Sequence, residues 1–173
     1  TMAFTLRSAL TLCLVLLMAA CTGVPDGVEP VTGFDKNRYL GRWHEIARLD
    51  HSFERGLTQI TAEYSLRDDG MIKVVNSGTR TDNGERDVAE GKAAFVGADD
   101  IAHLKVSFFG PFYGSYVVFE LGSNYDYAFV AGPTTDYLWL LAREPQVDDD
   151  LKQRFVTRAS ALGFDIDDLI WAE

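Results

Sequence analysis

The sequence predicts an all-β domain: eight antiparallel strands in up-and-down order, closed into a barrel, with one α-helix packed on the outside near the C-terminus. Three observations carry this. From residue 41 to residue 144, apolar and polar residues alternate in short runs separated by turn signals. No helical pattern interrupts those runs, which excludes the crossovers that parallel strands need. The one amphipathic stretch with i, i+4 spacing comes after the last strand. Eight strands in succession can close on themselves and so remove both sheet edges.

The strands follow in order. "RWHEIARL" (42–49) is the first. "TQITAEYSLR" (58–67) places Ile60, Ala62, Tyr64 and Leu66 on one face, and Gln59, Thr61, Glu63 and Ser65 on the other. "DDG" turns the chain into "MIKVVNSGT" (71–79). "TDNG" (81–84) contains the Asn-Gly pair typical of tight hairpins. "RDVAEGKAAFV" (86–96), "IAHLKVSFF" (101–109), "SYVVFEL" (115–121), "YDYAFVAG" (125–132) and "DYLWLLARE" (136–144) complete the set, with short gaps between them. "DDDLKQRFVTRASALG" (148–163) then reads as the helix. It has acids at its positive dipole end, a Leu151, Phe155, Ala159, Leu162 stripe, and Gly163 as its stop. The short "DLIWAE" (168–173) is expected along the sheet.

The start of the chain reads differently. Residues 1–20 carry one charge, Arg7, and an apolar run "SALTLCLVLLMAA" ending in small residues, the pattern of a secretory signal peptide. The run is too short to span a bilayer, which takes about 20 residues. Cys21 follows directly, and "LMAAC" matches a bacterial lipobox except that Met18 stands where Leu is usual. Cys21 is therefore the expected lipidation site; an ordinary signal with a chance cysteine is the alternative. Residues 21–33, rich in Gly and Pro, read as a flexible tether, and residues 34–173 as the domain.

The chain has 16 basic and 26 acidic residues, a net charge of −10; without residues 1–20 it loses Arg7 alone and carries −11. No basic stripe is legible, so nucleic acid is not an expected partner. The second cysteine, Cys13, falls within the signal, so the mature chain has no intramolecular disulfide to form. No HExxH, CxxC, Gly-x-Ser-x-Gly, Walker or dinucleotide fingerprint occurs. No metal, no cofactor and no catalytic residue is expected. His44 and His103 alternate with inward residues and are expected outside.

The order of coil, Gly-x-Trp strand, seven further strands and helix resembles the lipocalin family. "GRW" (41–43) is similar to its first motif, Thr135, Asp136 and Tyr137 to its second, and Arg143 to its third. The fuller stretches "FDKNRYLGRWHEIARLDHSFERG", "KVSFFGPFYG" and "DYLWLLARE" resemble the bacterial outer-membrane lipoprotein lipocalins. The resemblance covers residues 34–173. It implies a lipid-anchored, periplasm-facing protein of the bacterial outer membrane that binds fatty acids or lysophospholipids in envelope maintenance, with homodimers allowed. In this reading Trp43 plugs one end of the barrel, Gly41 lets the chain cross tightly beneath it, and Arg143 covers the indole.

Counting by twos from Trp43 and Arg143 gives an inward set: Ala47, Ile60, Ala62, Val74, Asn76, Ala93, Val106, Phe108, Tyr116, Val118, Ala128, Tyr137, Trp139 and Leu141. Tyr113, beside Phe112, is expected at the open rim. The set is apolar and aromatic with few charges, as suits a hydrophobic ligand with a polar head. The small residues Ala47, Ala62, Ala93 and Ala128 argue for space inside. A lipid- or isoprenoid-modifying enzyme on the same scaffold is the alternative. Its candidate acid or base is Glu45, which shares parity with Trp43. A haem, pigment or siderophore carrier finds no inward His and no inward cationic cluster.

Overall fold

The structure, a computed structural model, describes residues 22–173. Eight strands succeed one another: β1 (Gly41–Arg48), β2 (Leu57–Leu66), β3 (Ile72–Arg80), β4 (Arg86–Phe95), β5 (His103–Phe109), β6 (Phe112–Leu121), β7 (Tyr127–Ala131) and β8 (Leu138–Ala142). Each pairs antiparallel with the next, and β1 closes the ring by pairing with both β2 and β8. Helix α1 (Lys36–Tyr39) precedes β1, and α2 (Asp149–Ala161) follows β8. A ninth strand, β9 (Ile170–Trp171), pairs with β1.

β9 has a specific task. β1 pairs with β2 only from Gly41 to His44. Beyond that point the two strands diverge, and the freed edge of β1 takes β9, with Ala47 opposite Trp171 and Arg48 opposite Ile170. The last strand thus patches a seam in the wall.

Two apolar cores result. One fills the lower barrel, with Trp43, Tyr39, Tyr64, Ile72, Val118, Ala128 and Leu141 among its members. The other lies outside the barrel, where Phe155 and Ala159 of α2 meet Phe129, Leu138, Leu140 and Val117. Helix α2 starts on the Asp148 carboxylate, which accepts from the Leu151 N–H at 2.9 Å. Phe155 is fully buried and meets Phe129 edge-on, ring centroids 5.0 Å apart.

Two expectations need correction. Residues 22–33, expected to form a tether, lie against the barrel. The Val31 N–H donates to the Val118 carbonyl and the Val31 carbonyl accepts from Ala102; Thr32 bridges to Ile101, and Val28 is buried. The Gly and Pro residues of this stretch do mark turns, but the three valines between them supply enough apolar surface to dock it. The expected signal peptide and Cys21 lie outside the described residues. The second correction concerns Ala47. A β-bulge between Glu45 and Ala47 shifts the register against β8, so Glu45 opposes Leu141 and Ala47 opposes Leu140. The extra residue moves Ala47 to the outer face beneath the C-terminal segment.

Candidate ligand site

The closed end is built by three aromatic residues and one guanidinium. Trp43 is fully buried, and its indole N–H donates to the Tyr39 carbonyl at 2.8 Å. Arg143 lies over the indole, its Cζ 3.9 Å from the ring centre. The same guanidinium donates to the carbonyls of Arg42 (2.9 Å), Arg38 (2.9 Å) and Tyr125 (3.1 Å), so it ties β1, α1 and the β6–β7 turn together. Gly41 has φ +97°, and a Cβ there would stand 3.3 Å from Arg143 Nη1. A side chain at this position would strain the backbone and crowd the guanidinium. Thr135 and Asp136 sit in the exposed turn before β8 at the opposite end, where the Asp136 N–H donates to the Thr134 hydroxyl.

Above the plug, three phenols meet. Tyr116 shares hydrogen bonds with Tyr39 (2.7 Å) and Tyr64 (3.0 Å). Burial is the largest influence on all three and pushes each well above the usual phenol range, so they stay protonated. Three hydroxyl protons serve two mutual bonds, which leaves one donor for the interior. Beside this floor lies a small pocket, partly open to solvent, lined by Phe34, Tyr39, Leu40, Tyr64, Ile72, Ala93, Leu104, Val106 and Tyr116.

Of the inward set, Val118 and Ala128 are fully buried in the lower core and line no open space. Val74 and Ile60 form buried wall. Ala62, Asn76, Val106, Phe108, Tyr116 and Trp139 face the interior with part of their surface uncovered; Ala62 stands opposite Trp43 at the plug, Phe108 and Trp139 nearer the open end. Asn76 Oδ1 is buried without a partner. Tyr137 stacks on Trp139, ring centroids 6.2 Å apart, at the open end. Tyr113 differs from expectation. Lys105, on the outer face of β5, covers its ring at 4.8 Å, so Tyr113 belongs to the outer wall rather than to the mouth. The β5–β6 register between Val106 and Phe109 is irregular, and a turn read from sequence cannot place such a shift.

Few inward charges were expected, yet the mouth holds a buried charged cluster. Because of the β1 bulge, Glu45 and Arg48 fall on the same inner face, with Arg48 Nη1 3.2 Å from Glu45 Oε1. Arg48 also donates to the carbonyls of Glu54 and Leu57, and its Nε lies 3.7 Å from Glu54 Oε2. Glu54, in the β1–β2 loop, accepts from the Trp139 indole (3.2 Å) and bonds His51 Nε2 (3.0 Å). His51 is buried between Tyr137 and Trp139. Burial, then the neighbouring Glu54 charge, pushes the Glu45 carboxyl well above the usual range, against the pull of Arg48. Burial also opposes the Glu54 carboxylate, but the His51 bond and charge outweigh it and hold Glu54 below that range. Sequence reasoning had placed Glu45 inward and missed Arg48, His51 and Glu54. Among the described residues no His/Cys/Asp/Glu group has metal-site geometry, and no helix is long and apolar enough to cross a membrane.

The Glu45 shift has a signed consequence. A carboxyl raised on folding favours the folded state while it is protonated, below its unfolded value near 4.5, and that contribution is lost as pH rises through the raised value. Glu45→Gln is therefore expected to leave acid stability nearly unchanged and to stabilise increasingly toward neutral pH. Thermal melts across that range measure it; a difference independent of pH would contradict the assignment.

Comparison with known proteins follows the same lines. A family model described as a lipocalin-like domain matches residues 34–173. The chain is 56% identical over 165 residues to the outer membrane lipoprotein Blc of Vibrio cholerae, covering 95% of this chain and 96% of that one. It is 52% identical over 159 residues to the protein of the same name from Escherichia coli K12, covering 91% and 90%. Among solved structures, insecticyanin from the tobacco hornworm Manduca sexta superposes with a TM-score of 0.67 at 23% identity, covering 87% of this chain and 86% of that one.

Proposed function

The chain belongs to the lipocalin family, and on that premise we propose that it is a lipid-anchored outer-membrane lipocalin that holds a single-chain amphiphile, a fatty acid or a lysophospholipid, in its barrel. One observation carries the reading. The upper interior presents Val106, Phe108 and Trp139 with uncovered apolar surface, above a floor closed by Trp43 and Arg143. Such a blind apolar tube suits an acyl chain. Two further points support it. Both relatives named above are described as outer membrane lipoproteins, and Cys21 follows a lipobox-like stretch. Cys21 is the proposed anchor, and the membrane is the proposed partner through it. Envelope maintenance is the proposed role, and a homodimer is compatible with it.

The interior predicts a chain-length series. Each buried CH₂ contributes about 0.8 kcal/mol, or about fourfold in affinity, until the tube is full. Titration of fatty acids and lysophospholipids, read through Trp139 fluorescence, is expected to show affinity rising with length and then levelling. Ala62→Phe, between Asn76 and Trp43 at the bottom of the tube, is expected to fill its base and to weaken binding, most for the longest chains. Undiminished binding in a folded Ala62→Phe protein would sink the cavity reading. The enzymatic alternative rests on Glu45, whose carboxyl is tied to Arg48 and set beside Glu54 rather than standing free above the apolar space. Turnover of a bound lipid by wild type, lost in Glu45→Gln, is the result that would favour it.

A further inference from the structure

The barrel has two unlike outer walls. Helix α2 and the C-terminal segment cover β7, β8 and β1. Among the described residues, the wall formed by β3 to β6 carries no covering element over its upper part. Its outward positions follow from the register: Lys73 pairs with Lys92, Lys92 with Ser107, Thr79 with Arg86, Val75 with Glu90, and Ala94 with Lys105. Four of these outward side chains are cationic and one, Glu90, is anionic, in a chain whose net charge is −10. Lys73 meets Glu90 at 3.4 Å, while Lys105 pairs with no carboxylate among the described residues and rests on the Tyr113 ring.

The same wall ends at the open mouth in an uncharged aromatic tip. The β5–β6 turn reads "FFGPFYG" (108–114), and its Phe109 and Phe112 are 70% and 76% exposed. Val88, facing outward on β4, is 59% exposed. Exposed aromatics ahead of flexible lysines form an arrangement suited to an interface, where rings enter the headgroup region and ammonium groups meet phosphates. At the other end of β5, Thr22 lies against His103. Cys21 immediately precedes Thr22, so the proposed anchor leaves the domain from this side. β5 is seven residues long, so the two ends of the wall are about 20 Å apart.

We propose that the β3–β6 wall is a docking face for an anionic phospholipid bilayer: the barrel lies on its side, held by Lys92, Lys105, Lys73 and Arg86, with Phe109 and Phe112 inserted at the interface. This goes beyond ligand binding and gives the ligand a path, because the inserted lip borders the open end of the tube. An acyl chain passes from bilayer to calyx without crossing bulk water.

The test uses the full chain isolated from membranes and reconstituted in phosphatidylcholine vesicles with or without phosphatidylglycerol. A fluorophore is attached through Val88→Cys, Phe112→Cys or, on the exposed side of α2, Gln153→Cys. Lipid-borne nitroxide is expected to quench the first two sites at least threefold more than the third, and only when phosphatidylglycerol is present. The Lys92→Glu, Lys105→Glu double variant is expected to lose that difference while its fatty-acid titration and melting temperature stay those of wild type. Equal quenching at all three sites overturns the proposal, as does persistence of the pattern in the double variant. Shielding of Val88→Cys and Phe112→Cys labels from aqueous iodide without vesicles would instead mark a protein interface and also overturn it. Loss of fatty-acid binding in wild type would strike the calyx reading and leave the docking result standing.

Discussion

Trp43→Ala is expected to cost about 3–5 kcal/mol of folding stability, the range for truncating a large aromatic side chain in a core. The indole is fully buried, packs 4.7 Å from the Tyr39 ring and donates to the Tyr39 carbonyl. Its removal leaves a void at the one end where the barrel is shut. It also strips Arg143 of the ring it covers at 3.9 Å. Arg143→Met is expected to cost less, since Met keeps some contact with the indole, but three carbonyl bonds go with the guanidinium. A double-mutant cycle should give a coupling of about 0.5–2 kcal/mol between the two positions. Denaturant midpoints at an unchanged slope provide the measurement, and strict additivity would mean that the contact contributes nothing.

Arg48→Met is expected to rival it, at about 3–5 kcal/mol near neutral pH, because it leaves buried Glu45 without its cation and Glu54 with His51 alone. Arg48 pairs with both Glu45 and Glu54, and among the described residues no other arginine or lysine reaches them. The loss carries a pH signature. In the variant both carboxyls titrate higher, so the folded state takes up protons more readily than the unfolded chain. The deficit therefore shrinks as pH falls and the pair becomes neutral. Arg48→Lys keeps the charge but not the fork that reaches the Glu54 and Leu57 carbonyls, so only partial rescue is expected. A cost below about 1 kcal/mol for Arg48→Met would show that the cluster is solvated in solution rather than buried.

Much of this molecule was legible in its sequence, for physical reasons. Alternation in β2 puts Ile60, Ala62, Tyr64 and Leu66 on one face; the structure keeps the first three inward, while Leu66, at the strand end, is 51% exposed. The plug was legible because Gly41, Trp43 and Arg143 form a motif. Parity failed where the backbone inserts a residue. In "HEIAR" the strict count puts Ala47 inside and Arg48 outside; the bulge reverses both. The adjacent apolar pair Ile46–Ala47, followed by a charge, was the available signal, since a regular strand would expose one of the two. His51 and Glu54 lie in a loop with no period to read, and only tertiary folding brings them to Trp139. The docked segment 22–33 was hidden because composition reports turns but not what three spaced valines can cover.

The clasp at the closed end also sets a clock. Arg143 bonds the Arg42 and Arg38 carbonyls across sequence separations of 101 and 105 residues. A nascent chain can pair its first hairpins early, yet it cannot latch the ring until the eighth strand has arrived. Non-local closure of this kind places all-β domains in the millisecond-to-second range of folding times, with the entropy of a long loop spent before the closing contact repays it. During that interval β1 presents an unpaired edge. A holdase that shields one strand for seconds would therefore raise the yield of this protein more than any gain in its equilibrium stability.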